Sequence, residues 1–192
     1  MAMATLSNFK SALQYGGARP ALFDIEITLS SPTLLTGVGG VDNIISHCNV
    51  SAIPPLTVTP IEKQYFGRTV KIPGDIVYGD LSTTIMNTED YSVRNAIEIW
   101  MDKINSHADN IGFSDSTSWV TTADLTQYGK DGETNMIYSF VDLWPTTIAE
   151  LPLSYDTASD IEQFDVTWAY NYYTQALGTA RPTGLSTHAI QR

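Results

Sequence analysis

A chain of 192 residues, 43% hydrophobic and only 16% charged, is large enough for one domain with a real core, and draws its polarity from Thr, Ser, Tyr and Asn. Its net charge of −11 is concentrated in residues 73–180, which hold 17 acidic side chains against Arg94, Lys103 and Lys130. This excludes a phosphate-clamping nucleic-acid binder, since counterion release needs clustered bases. The single Cys48 excludes an intrachain disulfide, and with neither a signal-peptide start nor a bilayer-length apolar run the expectation is a cytosolic chain without a membrane partner.

In chain order, Phe9, Ala12 and Leu13 predict a short helix over Ser7–Tyr15, stopped by Gly16-Gly17. The period then changes. Phe23, Ile25, Ile27 and Leu29 alternate with Asp24, Glu26, Thr28 and Ser30, which predicts a strand with one buried face. Residues Ser30–Asp42 read as a loop, and their glycines do not form a dinucleotide-binding pattern. A second strand is expected over Ile44–Ala52, ended by Ile53-Pro54-Pro55, with an extended but unpaired segment to Pro60. Strands follow near Ile61–Ile72 and Ile76–Met86, with Pro73-Gly74-Asp75 as the turn between them and Leu81, Thr83 and Ile85 on one face.

Val93, Ile97, Trp100, Met101 and Ile104 then fall at helical spacing, which predicts a helix from Asp90 to about Ser106 with Asn87 or Thr88 as its cap. Strands at Trp119–Gln127 and Asn135–Leu143 flank Asp131-Gly132 and predict a hairpin. Pro145 is expected to end the second of these, with a short strand at Leu151–Tyr155. A last strand over Ile161–Tyr173 carries Phe164, Val166, Trp168, Tyr170 and Tyr172 on its core face, leaving Tyr173 for a neighbouring subunit. The expected division is a domain over 1–173 and a flexible extension over 174–192. Seven or eight short strands with one inserted helix predict a mainly β fold, a β-sandwich or partly open barrel.

Catalytic chemistry finds no foothold in the pattern. His47, His107 and His188 share no metal-ligand spacing, and His47-Cys48 would point to opposite faces of a strand. The carboxylate pairs Glu89-Asp90, Asp131 with Glu133, and Asp160 with Glu162 read as helix start, hairpin tip and acidic turn. The expectation is therefore no catalytic residue, no metal and no cofactor.

Two motifs near the end carry a resemblance. Leu143-Trp144-Pro145-Thr146 and Ile161-Glu162-Gln163-Phe164-Asp165-Val166-Thr167 are followed by an aromatic strand. Upstream lie Ala18-Arg19-Pro20, Ser51-Ala52-Ile53-Pro54, and Thr83-Thr84-Ile85-Met86-Asn87 running into Glu89-Asp90 and a helix with Trp100. Set in this order over roughly Ala18 to Tyr173, they resemble the tail tube proteins of contractile-tailed, T-even-like bacteriophages. The resemblance implies two packed antiparallel sheets with one flanking helix, and subunits that complete a hexameric β-barrel ring. Rings would stack into a hollow conduit for DNA and the tape-measure protein, with the tail sheath, baseplate or hub, and tail terminator as further partners. DNA would pass without specific binding, and the acidic residues serve either solubility or the channel wall.

The protein would reside in the virion tail, and in the host cytoplasm before assembly. Trp144 and Pro145 would form a structural corner. Lys63, Arg68 and Lys71, in the extended Ile53–Pro73 region, are the candidates for inter-ring contact with acidic surface on the next ring. Two alternatives stay open: a related contractile injection system or a baseplate protein of the same fold, and, of a different class, a monomeric β-sandwich binding module.

Overall fold

The computed structural model describes residues 10, 17–28, 48–112, 118–154 and 160–178. Apart from Lys10, the helix expected at Ser7–Tyr15 lies outside the described residues, as do the loop over Ser30–Asp42, the first part of the second strand and residues 179–192. The described elements run β1 (Phe23–Thr28), β2 (Cys48–Ser51), β3 (Leu56–Tyr65), β4 (Arg68–Tyr78), β5 (Leu81–Met86), α1 (Ser92–Ile104), β6 (Thr121–Tyr128), β7 (Thr134–Ile148), β8 (Gln163–Ala169) and β9 (Tyr172–Leu177).

Alternation decides which side of each strand faces in. Ile25 and Ile27 are buried on β1 while Asp24 and Glu26 are exposed, and Leu81, Thr83 and Ile85 are buried together on β5. Seven strands join in one antiparallel sheet in the order β1-β6-β7-β8-β5-β2, with β9 also paired to β7. It has two halves that share β7, one with β1, β6 and β9 and the other with β8, β5 and β2. The end strands β1 and β2 approach each other, so the sheet nearly closes as a barrel. The two packed antiparallel sheets and the flanking helix expected from the sequence are present in this form.

The core fills the space between the sheet and α1. Val93, Ala96, Ile97 and Trp100 are buried on the helix and meet Phe164, Val166 and Trp168 of β8, together with Phe140 and Leu143 of β7. The rings of Trp100 and Trp168 lie 5.8 Å apart. Each indole N–H has an acceptor, as burial demands: Trp100 Nε1 donates to the Trp119 carbonyl (2.9 Å) and Trp168 Nε1 to the Thr83 hydroxyl (2.8 Å). Arg94 covers the core's edge, with its guanidinium 5.2 Å from the centre of the Phe164 ring and 2.8 Å from Glu98.

The start of α1 differs from the expected cap. Neither Asn87 nor Thr88 caps it. The N-cap position is Tyr91, in the left-handed region at φ 54°, without a capping side chain. Asp90 supplies the acceptor instead, taking the Ser92 N–H at 3.2 Å while the Thr88 hydroxyl also donates to it. These donors, Thr88 first, hold the Asp90 carboxyl below its usual pKa.

β7 and its partner bend together. The strand does not end at Pro145. It runs on to Ile148, passing from β6 and β9 to β8. The change of partner falls between Val141 and Trp144, where Asp142 takes a positive φ of 57°. Opposite it, the last strand breaks at Tyr170-Asn171, so the segment expected as one strand over Ile161–Tyr173 is two, β8 and β9, and the strand structure continues past Tyr173 to Leu177. Asn171 bridges the bend, its amide donating to the Val141 carbonyl (3.1 Å) and its Nδ2 to Asp142 Oδ2 (2.7 Å).

The bend reverses the alternation on both strands at once. Core side chains step from Phe140 to Leu143 on β7 and from Tyr170 to Tyr173 on the other chain segment, three residues instead of two. Tyr173 therefore packs against the core and Tyr172 is exposed, the opposite of the sequence expectation. Leu151–Ser154, expected as a strand, is not one.

Candidate functional site

Strands β3 and β4 pair only with each other among the described residues. They form a long two-stranded hairpin, which corrects the reading of residues 55–60 as unpaired and of Pro73-Gly74-Asp75 as a turn. The turn is at Phe66-Gly67, where both residues take positive φ (43° and 77°) between the paired Tyr65 and Arg68. Such a two-residue turn matches the twist of the flanking strands. Pro60 and Pro73 face one another beside a register shift in β4. A hairpin whose two edges are open among the described residues tolerates their missing N–H groups.

The register sorts the outer half of the hairpin into two faces. On one, Ile61, Lys63 and Tyr65 lie opposite Ile72, Val70 and Arg68. On the other, Glu62 and Gln64 lie opposite Lys71 and Thr69, and both pairs are satisfied within the chain: Lys71 Nζ sits 3.2 Å from Glu62 Oε1, and Gln64 Nε2 donates to Thr69 Oγ1 at 2.9 Å. The first face is apolar with two cations, the second polar and closed. Ile61, Val70, Ile72 and Tyr65 are all exposed. Full burial of such a side chain stabilises by roughly 1.5–3 kcal/mol, and much of that is ungained in the single chain.

The base of the hairpin is held firmly. Tyr170 donates its hydroxyl to the Gly79 carbonyl at 2.7 Å, and the Gly79 amide donates to the Pro55 carbonyl at 3.0 Å. Tyr78 packs edge-on against Tyr170 and Tyr173, whose rings also meet Phe140. Side-chain space is closed at Gly79, where a Cβ would come within 2.7 Å of the Pro55 ring. Burial, helped by Tyr173, Asp80 and Tyr78, pushes the Tyr170 phenol up to about 12. The reversed alternation at Asn171 is what brings Tyr170 and Tyr173 together as this seat.

The sequence-selected residues are thereby placed. Lys63 and Arg68 share the apolar face, and Lys71 stands apart on the other face, paired with Glu62. Trp144 and Pro145 follow directly on the bend at Asp142; Trp144 packs edge-on against Trp119, and Pro145 lies opposite Trp168 at a register shift. Sequence reasoning missed Phe66 and Asp142; it placed Tyr170 on the core face, where the structure also packs it, but not at the base of the hairpin. The Phe66-Gly67 pair between alternating strands was the available signal for the turn, but Pro-Gly-Asp carries the stronger turn composition.

Reactive side chains are dispersed. Cys48 is half-buried in β2, while His47 lies outside the described residues. His107 is exposed, 3.9 Å from Asp102. Among the described residues no three His, Cys, Asp or Glu side chains gather as metal ligands, and no helix is long and apolar enough to cross a membrane.

Comparison with known proteins bears on the whole architecture. The tail tube protein gp19 of Enterobacteria phage T4 is 27% identical over 157 residues, covering 81% of this chain and 90% of its own length. The tail tube protein of Serratia phage KSP90 is 20% identical over 162 residues, covering 84% and 92%. The fold is similar to a chain in the 6-fold-symmetrised baseplate of the anti-feeding prophage (TM-score 0.62, 7% identity, 83% of this chain and 95% of that one). It is also similar to a chain in the PVC sheath–tube complex of an extracellular contractile injection system (TM-score 0.56, 16% identity, 90% and 99%). The family described as phage tail tube protein matches residues 18–176, and this chain belongs to that family, as a structural subunit of the tail tube in the virion.

Proposed function

We propose that this subunit forms hexameric rings, that the rings stack into a hollow tube, and that the β3–β4 hairpin makes the contact between rings. The observation that carries this reading is the hairpin's apolar face, which has a rigid mount and, among the described residues, no cover. A two-stranded hairpin is marginal alone in water, so one standing clear of its barrel is built for a neighbour. Within a ring, the edge of β9, open among the described residues, offers backbone groups for pairing between subunits, which would remove an aggregation-prone edge.

The tube would carry DNA and the tape-measure protein during ejection. Its 17 acidic side chains in residues 73–180 would disfavour adhesion of phosphate. The sheath, the baseplate or hub and the tail terminator would be its other partners, with the host cytoplasm as its place before assembly. Of the three cations selected from sequence, Lys63 and Arg68 are the inter-ring candidates. Lys71 is committed to Glu62.

Negative-stain electron microscopy of the full chain, alone at high concentration and with added phage baseplates, tests this reading. Hollow tubes or six-fold rings are the expected result. A single-copy protein under both conditions would refute it. Given tubes, charge reversal at Lys63 and Arg68 shortens them, whereas reversal at Lys71 has the smaller effect.

A further inference from the structure

The hairpin turn is made from an unfavourable residue. Two-residue turns with positive φ at both positions favour Asn, Asp or Gly, and a bulky side chain at positive φ is strained. Here the first position is Phe66, at φ 43° and 91% exposed. Its ring packs edge-on against Tyr65 at 4.7 Å, so the tip is a paired aromatic knob with Arg68 immediately behind it. Strain held at an exposed apolar tip points to a function outside the single chain.

The same chain carries a matching hole. A groove of about 580 Å³ lies between the segment after β7 and the segment before β8, walled by Leu151, Leu153 and Ile161 and flanked by Asp160 and Glu162. Leu153 is 78% and Ile161 67% exposed, both more than an isolated domain gains from. Glu162 is fixed in place, accepting from Asn87 Nδ2 at 3.1 Å and from the Tyr91 hydroxyl at 3.0 Å. A preorganised carboxylate beside an apolar wall suits an aromatic knob followed by an arginine. An apolar cavity of about 150 Å³ holds a benzene ring, so this groove has room for Phe66 together with Tyr65.

We propose that the Phe66–Tyr65 tip of one subunit docks in the Leu153–Ile161 groove of a second copy of this chain, with Arg68 or Lys63 meeting Asp160 or Glu162. Knob and hole are different patches of one surface, so the contact is head-to-tail. Such a contact repeats in an open stack instead of closing as a dimer. The inference rests on the stacking reading above and names its receiving surface.

The test replaces Phe66 in the full chain by the photo-crosslinking aromatic benzoylphenylalanine, irradiates assembled tubes and maps the linked peptides by mass spectrometry. Crosslinks between copies, from position 66 to 151–154 or 160–163, are expected. Tubes whose crosslinks fall elsewhere overturn the docking and leave stacking intact. A chain that never assembles, even on baseplates, overturns the stacking reading and the docking with it.

Phe66→Asn gives a second readout, because Asn favours this turn. The unfolding midpoint should hold or rise while the concentration needed for assembly rises about tenfold, the loss expected for one buried aromatic anchor. Leu153→Asp should raise it comparably from the other side. Assembly of Phe66→Asn at the wild-type concentration contradicts the proposal.

Discussion

β4 and β5 are neighbours in the chain and are built from similar residues, yet their environments are opposite. Leu81, Thr83 and Ile85 on β5 are buried, the two apolar ones in the same core cluster as the inner face of α1, and the hydroxyl among them is used by Trp168. Val70, Ile72 and Ile76 on β4 remain exposed. The two strands are separated only by Gly79 and Asp80, so the difference is one of cover, not of local preference. The barrel completes its interior with its own helix, whereas the hairpin presents an equivalent surface outward on a rigid mount. On the proposed reading, stability and assembly reside in different parts of the molecule, and substitutions should separate them.

The sharpest break on the barrel side is Trp168→Ala. It removes the ring packed on Trp100 of α1 and the donor to the Thr83 hydroxyl, and should cost about 3–5 kcal/mol in denaturant unfolding. Next comes Tyr170→Phe at the junction, where loss of the bond to Gly79 should cost about 1–2 kcal/mol. Hydrogen exchange should quicken at Tyr78 and Gly79 before it does in β5.

The same tyrosine gives a pH signature. Burial raises its pKa in the folded chain from the ordinary value near 10 to about 12, so the folded state favours the neutral phenol. The stability this provides is complete below pH 10 and is lost as pH rises through 12. Tyr170→Phe should lack that part of the alkaline loss when unfolding is followed across this window.

On the hairpin side, Ile61→Thr with Ile72→Thr should change the stability of the single chain by no more than about 0.5 kcal/mol while sharply reducing tube yield. Smallest of all is Glu62→Gln. Its partner Lys71 lies in solvent, so the unfolding free energy should move by about 0.5 kcal/mol or less and not at all in high salt.

Elements whose pattern is settled by local burial were legible in the sequence. The alternation of β1, the Leu81-Thr83-Ile85 face, the stripe of α1 and the Asp131-Gly132 hairpin all have one face against the core, and the period records it. In the hairpin the alternating side chains face no core of the described residues, and two facing prolines together with a Pro-Gly-Asp triplet imitate a turn in mid-strand. The bend was illegible for another reason. The positive φ of Asp142 and the break at Asn171 depend on each other across the sheet, through a hydrogen bond that no local pattern encodes. Hence Trp144-Pro145 drew attention as the corner, two residues beyond the residue that turns the chain.

The claim that barrel and hairpin divide folding from assembly is tested most directly by hydrogen–deuterium exchange on the single chain and on assembled tubes. The account predicts that β5, β8 and α1 are protected in both, while β3 and β4 exchange readily in the single chain and become protected in tubes. Protection of β3 and β4 that is the same in both states would contradict it.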